Sequence, residues 1–167
     1  ITNDDKSSYE WFVSNPINNY NISVQIGNYV AVQDTFIKND DIHYMNHYVL
    51  DYNREIASNY FTQSKEIIRF YEKYFGDYQW YDDGYKLIEV PYLGMEHQSA
   101  VTYGNGFSIY NGVRSKSWPM YGVIDPLIIH ETGHEWFGNS VTASDPTHIW
   151  IHEGMQVYSE ALYFEDK

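Results

Sequence analysis

The chain has 167 residues, enough for one domain with a hydrophobic core or for part of a larger one. Its formal net charge of −13 argues against nucleic-acid binding and against docking on anionic lipid, and it is compatible with cationic groups such as a free amino terminus. Cysteine is absent and no apolar run approaches the ~20 residues that span a bilayer, so we expect a soluble chain, cytoplasmic or exported, without disulfides, thiolate metal ligands or a transmembrane segment.

The first 14 residues are polar apart from an aromatic patch at Trp11 and Phe12. We expect residues 1–14 to be a lead-in segment or the end of a preceding N-terminal β domain, and residues 15–167 to form one domain. The chain begins at Ile1 without an initiator methionine, so we interpret it as a fragment of a longer polypeptide.

Three segments that follow alternate apolar and polar residues, which is the pattern of half-buried strands. They lie at 22–26, at 29–32 after the turn signal Gly27–Asn28, and at 42–50. In the third strand the apolar face is expected to consist of Ile42, Tyr44, Tyr48 and Leu50. His43 and His47 are then expected to pack on the opposite, partly exposed face.

The period changes after Asp51, where apolar residues recur at helical spacing as far as Tyr74. This pattern predicts one amphipathic helix of about 24 residues, with Gly76 just beyond its end. Further short strands are predicted at 86–90, 101–103 and 107–110, since each is a brief run of β-forming residues bounded by turn signals.

Two helices are predicted in the last third of the chain. Asp125 and Pro126 have the residue types preferred at the N-cap and first position of a helix, and this helix is expected to continue to Gly138. After Pro146, a second helix is expected from Trp150 to about Phe164.

The first of these helices contains the pattern H-E-x-x-H at 130–134. Residues four apart are neighbours on a helix surface, so His130 and His134 can bind one ion together. Glu131 follows the first ligand, where a carboxylate can act as general base on an attacking water.

A catalytic site of this kind needs a third protein ligand, and the acidic and imidazole candidates that follow are Asp145, His148, His152, Glu153 and Glu160. Glu153 is favoured because the 18 residues between it and His134 allow the next helix to return to the same ion. Gly154 is expected to let the two helices approach closely. His148 and His152 are expected at the rim or in packing. Glu160 either supports a metal-bound histidine or is a solvated helix charge.

Two imidazoles and one carboxylate, without a thiolate, favour one zinc ion. Because three protein ligands leave a coordination position open, the site has the character of a catalytic centre rather than a structural one.

The residues at 130–139, together with Trp150-Ile151-His152-Glu153-Gly154, resemble the gluzincin metallopeptidases of the M1 aminopeptidase family. The family pattern is H-E-x-x-H, 18 residues, then Glu, and the segment 93–97 is similar to its G-x-M-E-N motif. The resemblance implies an α+β, thermolysin-like zincin domain. Its mostly antiparallel sheet would have an exposed edge strand packed on the metal-binding helices. Residues 15–167 would be that catalytic domain, truncated at its C-terminus.

The resemblance also implies roles for individual residues. His130, His134 and Glu153 correspond to the zinc ligands, and Glu131 corresponds to the base. The other matching residues are substrate-binding ones on the edge strand, namely Gly94, Met95 and Glu96. Glu96 corresponds to the glutamate that binds the substrate's α-amino group, although the residue pattern alone favours an ordinary edge-strand charge at that position.

The implied activity is zinc-dependent aminopeptidase action on peptides with a free N-terminus, in concert with the remaining domains of the polypeptide. Two alternatives stay open: another hydrolase on the same site, such as an endopeptidase or epoxide hydrolase, and a non-catalytic zincin-like scaffold. His97 and His152 stand where the family usually has Asn. The family's transition-state tyrosine is expected beyond Lys167, so we expect the fragment alone to be poorly active.

Overall fold

A computed structural model describes residues 2–3, 6–107 and 124–167. Its strands, in chain order, are β1 (Thr2–Asn3), β2 (Lys6–Ser7), β3 (Tyr29–Lys38), β4 (Asp41–Leu50), β5 (Lys86–Glu89), β6 (Gly94–Met95) and β7 (Ala100–Tyr103). Its helices are α1 (Arg54–Tyr60), α2 (Gln63–Phe75), α3 (Pro126–Gly133) and α4 (Trp150–Glu165). Three short 3₁₀ turns lie at Asn19–Asn21, Asp51–Asn53 and Pro146–His148.

The strands form a two-stranded hairpin, β1–β2, and a five-stranded sheet in the order β3-β4-β5-β7-β6. In the larger sheet, β3 and β4 pair antiparallel, as do β6 and β7, whereas β4 with β5 and β5 with β7 pair parallel. The fold is therefore α+β, but the sheet is mixed, and the prediction of a mostly antiparallel sheet is not confirmed. The parallel β4–β5 pair follows from the helical crossover α1–α2, which returns the chain to the same end of the sheet.

The strand predicted at 42–50 is confirmed as β4, but its buried face is the opposite of the predicted one. Met45, His47 and Val49 are at most 1% exposed, whereas Ile42 and Tyr44 are 58% and 65% exposed. Both faces of this strand carry residues that can be buried, so alternation alone does not choose between them. A shift of one residue moves every side chain to the other face.

His47 is consequently a core residue rather than a partly exposed one. Its Nδ1 accepts a hydrogen bond from the backbone N–H of Leu87 at 3.0 Å, and its ring lies edge-on to Phe61. Burial lowers the pKa of His47 to about 4, which keeps the imidazole neutral inside the sheet.

The prediction of a strand at 22–26 is wrong. No strand is assigned there within the described ranges, and Ile22, Val24 and Ile26 are 66%, 79% and 93% exposed. The next predicted strand exists and is longer than expected, since β3 continues to Lys38. The segment predicted as a strand at 107–110 falls outside the described residues after Phe107.

The single helix predicted from Asp51 to Tyr74 is divided into the 3₁₀ turn, α1 and α2. The interruption at Phe61–Thr62 turns Phe61 fully into the core, where its ring contacts those of Tyr103 and Phe107. The predicted end is confirmed, because α2 ends at Phe75 and Gly76 follows it with a positive φ of 91°, which favours glycine.

The predicted strands at 86–90 and 101–103 are confirmed as β5 and β7, and the predicted second helix is confirmed as α4. The helix α3 begins at the predicted N-cap, but it ends at Gly133, five residues before the expected Gly138. It packs between β7, α2 and α4 and so occupies the centre of the molecule. None of the described helices is both long and apolar enough to cross a membrane.

Candidate active site

The start of α3 is held by the buried carboxylate of Asp125. One oxygen accepts the N-cap hydrogen bond from Leu127 N–H at 2.9 Å. The other accepts hydrogen bonds from the hydroxyls of Tyr60 and Tyr103, at 2.9 Å and 2.8 Å. The helix that carries the H-E-x-x-H pattern is therefore anchored at its first turn by side chains of α1 and β7.

Further along α3, Gly133 allows two helices to approach its backbone. A Cβ atom there would lie 2.1 Å from the hydroxyl of Tyr71 and 2.2 Å from Oε1 of Gln156, both far inside contact distance. Gln156 donates hydrogen bonds to Tyr71 at 2.7 Å and to the carbonyl of Ile129 at 3.1 Å. This buried network joins α2, α3 and α4 directly beneath the two histidines.

Gly154 does not have the predicted role in helix approach. The nearest heavy atom to a Cβ placed on it would be Cβ of Trp150 in its own helix, at 3.8 Å. The close contact between α3 and α4 depends on Gly133 instead.

The three predicted metal ligands converge. Nε2 of His130 lies 3.2 Å from Nε2 of His134, and the carboxylate of Glu153 lies 3.5 Å and 3.7 Å from these two nitrogens. Two nitrogens that bind one zinc ion at about 2.0–2.1 Å with tetrahedral angles are about 3.3 Å apart. The spacing of the donor atoms therefore fits zinc.

The hydrogen bonds on the far side of each ring support the same conclusion. His134 Nδ1 lies 2.9 Å from the carbonyl of Phe137, which can only accept, so Nδ1 carries the hydrogen and Nε2 presents its lone pair. His130 Nδ1 is hydrogen-bonded to the carboxylate of Glu160. Burial, and then the neighbouring His130, lower the pKa of His134. Two imidazole nitrogens that face each other and the carboxylate of Glu153 form a donor set that suits a cation.

Glu160 is 1% exposed, so it is not a solvated helix charge. Its carboxylate is hydrogen-bonded to Nδ1 of His130, on the opposite side of the ring from the nitrogen that faces Glu153.

Glu131 and Glu96 lie on the sheet side of the histidine pair. Each offers an oxygen within 4.8 Å of the other's and of a ring nitrogen of His134. A Cβ on Gly94 would lie 2.8 Å from Oε1 of Glu131, so the edge strand passes directly over this carboxylate. Gly94 and Met95 constitute β6, whose outer edge has no strand partner within the described sheet.

His152 and His148 are separate from this centre. His152 is buried, and its Nε2 accepts a hydrogen bond from the backbone N–H of Ala143 at 2.9 Å, which holds the connection between α3 and α4. His148 is exposed in a 3₁₀ turn. Neither belongs to the described groups of side chains that can hold a metal ion.

Two residues near the site were not singled out from the sequence, namely Glu135 and Asn139. Glu135 is 1% exposed, and burial raises its pKa to about 8, although hydrogen bonds from Asn139 and Ser99 act in the opposite direction. Asn139 donates a hydrogen bond to the carbonyl of Glu96 at 2.9 Å. Their place in the extended motif after His134 is the signal that could have identified them.

Residues 59–167 match the family model of the peptidase family M1 domain. The chain belongs to peptidase family M1. Human endoplasmic reticulum aminopeptidase 2 is 32% identical to it over 106 residues, which cover 59% of this chain and 10% of that protein. Rat aminopeptidase B is 33% identical over 98 residues, covering 58% of this chain and 14% of the relative.

Among solved structures, the M1 zinc metallopeptidase of Deinococcus radiodurans shares the fold with a TM-score of 0.60 at 18% sequence identity. The match covers 84% of this chain and 29% of that one. This M1 chain thus spans 10% to 14% of the length of the two curated relatives named above.

Proposed function

We propose that the full-length protein is a zinc-dependent aminopeptidase that removes N-terminal residues from peptides. In this proposal residues 15–167 belong to its catalytic domain, and residues 1–14 lead in from a preceding region. The observation that carries the proposal is that two groups of side chains share His134. One group is His130, His134 and Glu153, and the other is Glu96, Glu131 and His134.

In this mechanism His130, His134 and Glu153 would hold the zinc ion, which when bound would supply Lewis-acid polarisation of the scissile carbonyl. Glu131 takes the proton from the attacking water and later delivers it to the leaving amine. Glu160 keeps the ring of His130 oriented through Nδ1.

The edge strand selects the substrate. The free edge of β6 pairs with the peptide backbone, with Gly94 giving room beside Glu131 and Met95 continuing the strand. Glu96, directly after the strand, binds the α-ammonium group through charge-assisted hydrogen bonds. An ammonium fixed beside the reacting centre leaves space for only one residue before the cleaved bond.

The named relatives support this substrate class. Human endoplasmic reticulum aminopeptidase 2 and rat aminopeptidase B are aminopeptidases by name. The Deinococcus radiodurans metallopeptidase has been solved bound to a Tyr-Ser-Ala substrate, in a structure that resembles this chain with a TM-score of 0.58 at 17% identity.

The test compares the full-length enzyme with Glu131→Gln, using aminoacyl amides and their N-acetylated counterparts together with metal analysis. We expect one zinc per chain in both proteins, turnover of free-amine substrates by the unmodified enzyme, and loss of about 10³-fold or more in kcat in the variant. Equal cleavage of acetylated peptides would point to an endopeptidase. Zinc binding without hydrolysis would point to a scaffold, and opening of an epoxide without peptide cleavage to an epoxide hydrolase.

A further inference from the structure

Asn139 lies in the irregular turn that follows α3, and its backbone is tied to a metal-binding residue. Its N–H donates to the carbonyl of His134 at 2.9 Å. Its side chain is buried, with 6% exposure. The position of the amide group is therefore set by the end of the helix that carries the two histidines.

The side chain of Asn139 uses its full hydrogen-bonding capacity. Nδ2 donates to the carbonyl of Glu96 at 2.9 Å and to Oε2 of Glu135 at 3.1 Å. Oδ1 accepts from Nδ2 of Asn21 at 2.8 Å and from the hydroxyl of Tyr20 at 3.4 Å. The backbone carbonyl of Glu96 can only accept, so the atom of Asn139 that faces it is the Nδ2 donor.

Glu135 contacts the other end of the segment 96–99, whose first residue, Glu96, is bonded to Asn139. Its Oε1 accepts the backbone N–H of Ser99 at 2.7 Å. Ser99 is held in the left-handed region at φ 57°, which disfavours residues with a side chain. The segment 96–99 is therefore hydrogen-bonded at both ends. Asn139 donates to the carbonyl of Glu96, and Glu135 accepts from the N–H of Ser99.

We propose that Asn139 is a positioning residue that sets the distance between the amine-binding carboxylate of Glu96 and the metal-binding pair, and so selects the first peptide bond for cleavage. This inference rests on the aminopeptidase function proposed above. Two consecutive hydrogen bonds, from His134 through Asn139 to Glu96, make the connection, although Glu96 and Asn139 are 43 residues apart in the chain.

The expected consequence is a change in selectivity as well as in rate. A displacement of about 1 Å in a substrate-binding group can cost roughly 100-fold in rate. Removing the amide lets the loop at Glu96 shift relative to the metal-binding pair. The value of kcat/KM for free-amine substrates then falls. It falls much less for N-acetylated substrates, because they have no ammonium group to bind the Glu96 carboxylate.

The test measures kcat/KM for an aminoacyl amide and for its N-acetylated form in the full-length, zinc-loaded enzyme and in Asn139→Ala. We expect the preference for the free amine to fall about 10- to 100-fold, with zinc content unchanged. The matched control is Asn18→Ala, which removes a side-chain hydrogen bond to Thr142 at 3.3 Å and leaves Glu96 untouched. Its preference should equal that of the unmodified enzyme.

An equal loss on both substrates, or an unchanged preference, would overturn the inference. If Asn139→Ala does not fold, Asn21→Ala provides a milder form of the test, because it removes the shorter of the two hydrogen bonds that Oδ1 of Asn139 accepts and keeps the Asn139 amide itself. It should lower the preference in the same direction by a smaller factor, and an unchanged preference in this folded variant contradicts the proposal. Absence of any preference in the unmodified enzyme would instead refute the aminopeptidase function itself.

Discussion

The two helices that carry or end at the candidate metal ligands are held to very different degrees. Every residue from Leu127 to Gly133 in α3 is buried. In contrast, α4 exposes Trp150, Val157 and Tyr158 by 61%, 57% and 57%. The same contrast applies to the ligands, since the side chain of His134 is 1% exposed and that of Glu153 is 54% exposed.

This difference separates the side chains of the site that the fold holds in place from the one that is open to solvent. His130 and His134 are held by hydrogen bonds to the carboxylate of Glu160 and to the carbonyl of Phe137. The carboxylate of Glu153 has solvent on one side and lies within reach of the histidine nitrogens. Substitutions and metal removal should therefore affect α3 through protein stability and α4 through metal binding.

The largest effect is expected from Gly133→Ala in α3. The added methyl group meets the buried Tyr71 and Gln156, so these must move and their hydrogen bonds with each other and with Ile129 are lost. We expect a loss of about 4 kcal/mol in the free energy of unfolding, measured by urea denaturation. The control Gly154→Ala in α4 meets no atom closer than 3.8 Å, and should be neutral or stabilising by about 0.5–1 kcal/mol. Equal destabilisation by the two substitutions would contradict the proposed difference in packing between α3 and α4.

The next effect concerns the caps of the two segments. Asp125→Ala removes the N-cap of α3 and leaves the hydroxyls of the half-buried Tyr60 and the buried Tyr103 without their acceptor, so we expect a loss of about 3 kcal/mol. The control is Asp145→Ala before α4, where the carboxylate is exposed and accepts only from Thr147. Its effect on the melting temperature should be much the smaller of the two. A comparable drop for Asp145→Ala, which caps only the 3₁₀ turn Pro146–His148, would show that burial of the Asp125 cap adds nothing to its effect.

A third prediction concerns the orientation of His130. Glu160→Gln keeps an oxygen that can accept from Nδ1 but removes the charge behind the ring, so zinc affinity should fall about 10- to 100-fold in a competition titration with a chelating dye. Glu165→Gln, an exposed position at the end of the same helix, serves as the matched control and should bind zinc unchanged. Identical affinities in all three proteins would contradict the role given to Glu160.

The smallest effect is a local one on metal removal. After chelation, backbone amides in the first turn of α4, around 150–154, should exchange hydrogen faster, because the ion no longer holds Glu153 to the histidines. Amides of α3 should keep most of their protection, since its contacts are made by the protein itself. Hydrogen exchange measured by mass spectrometry on the full-length enzyme checks this, and an equal increase in both helices would count against it.

Local patterns were sufficient to predict the residues that the fold brings together as candidate metal ligands. The spacing of His130 and His134 depends only on helix geometry, and the distance to Glu153 only on the length of one connection. The N-cap at Asp125 and the helix end at Gly76 were also predictable, because caps are determined by a few neighbouring residues.

Features that depend on distant contacts were not predictable in this way. In β4, residues suited to burial stand on both faces, and only the packing of His47 against Phe61 shows which face is inside. Alternation at 22–26 predicted a strand, but these side chains remain exposed. The roles of Gly133 and Asn139 arise from residues that are far away in the chain and close in space.

The sequence by itself determined the family pattern, the candidate ligand set and the positions of most helices and strands, because these depend on spacing along a single segment. Only the tertiary structure decided which glycine lets the helices meet and which face of β4 is buried. It also decided how the loop at Glu96 is tied to the end of α3. Each of these depends on steric contacts and hydrogen bonds between segments that the fold brings together.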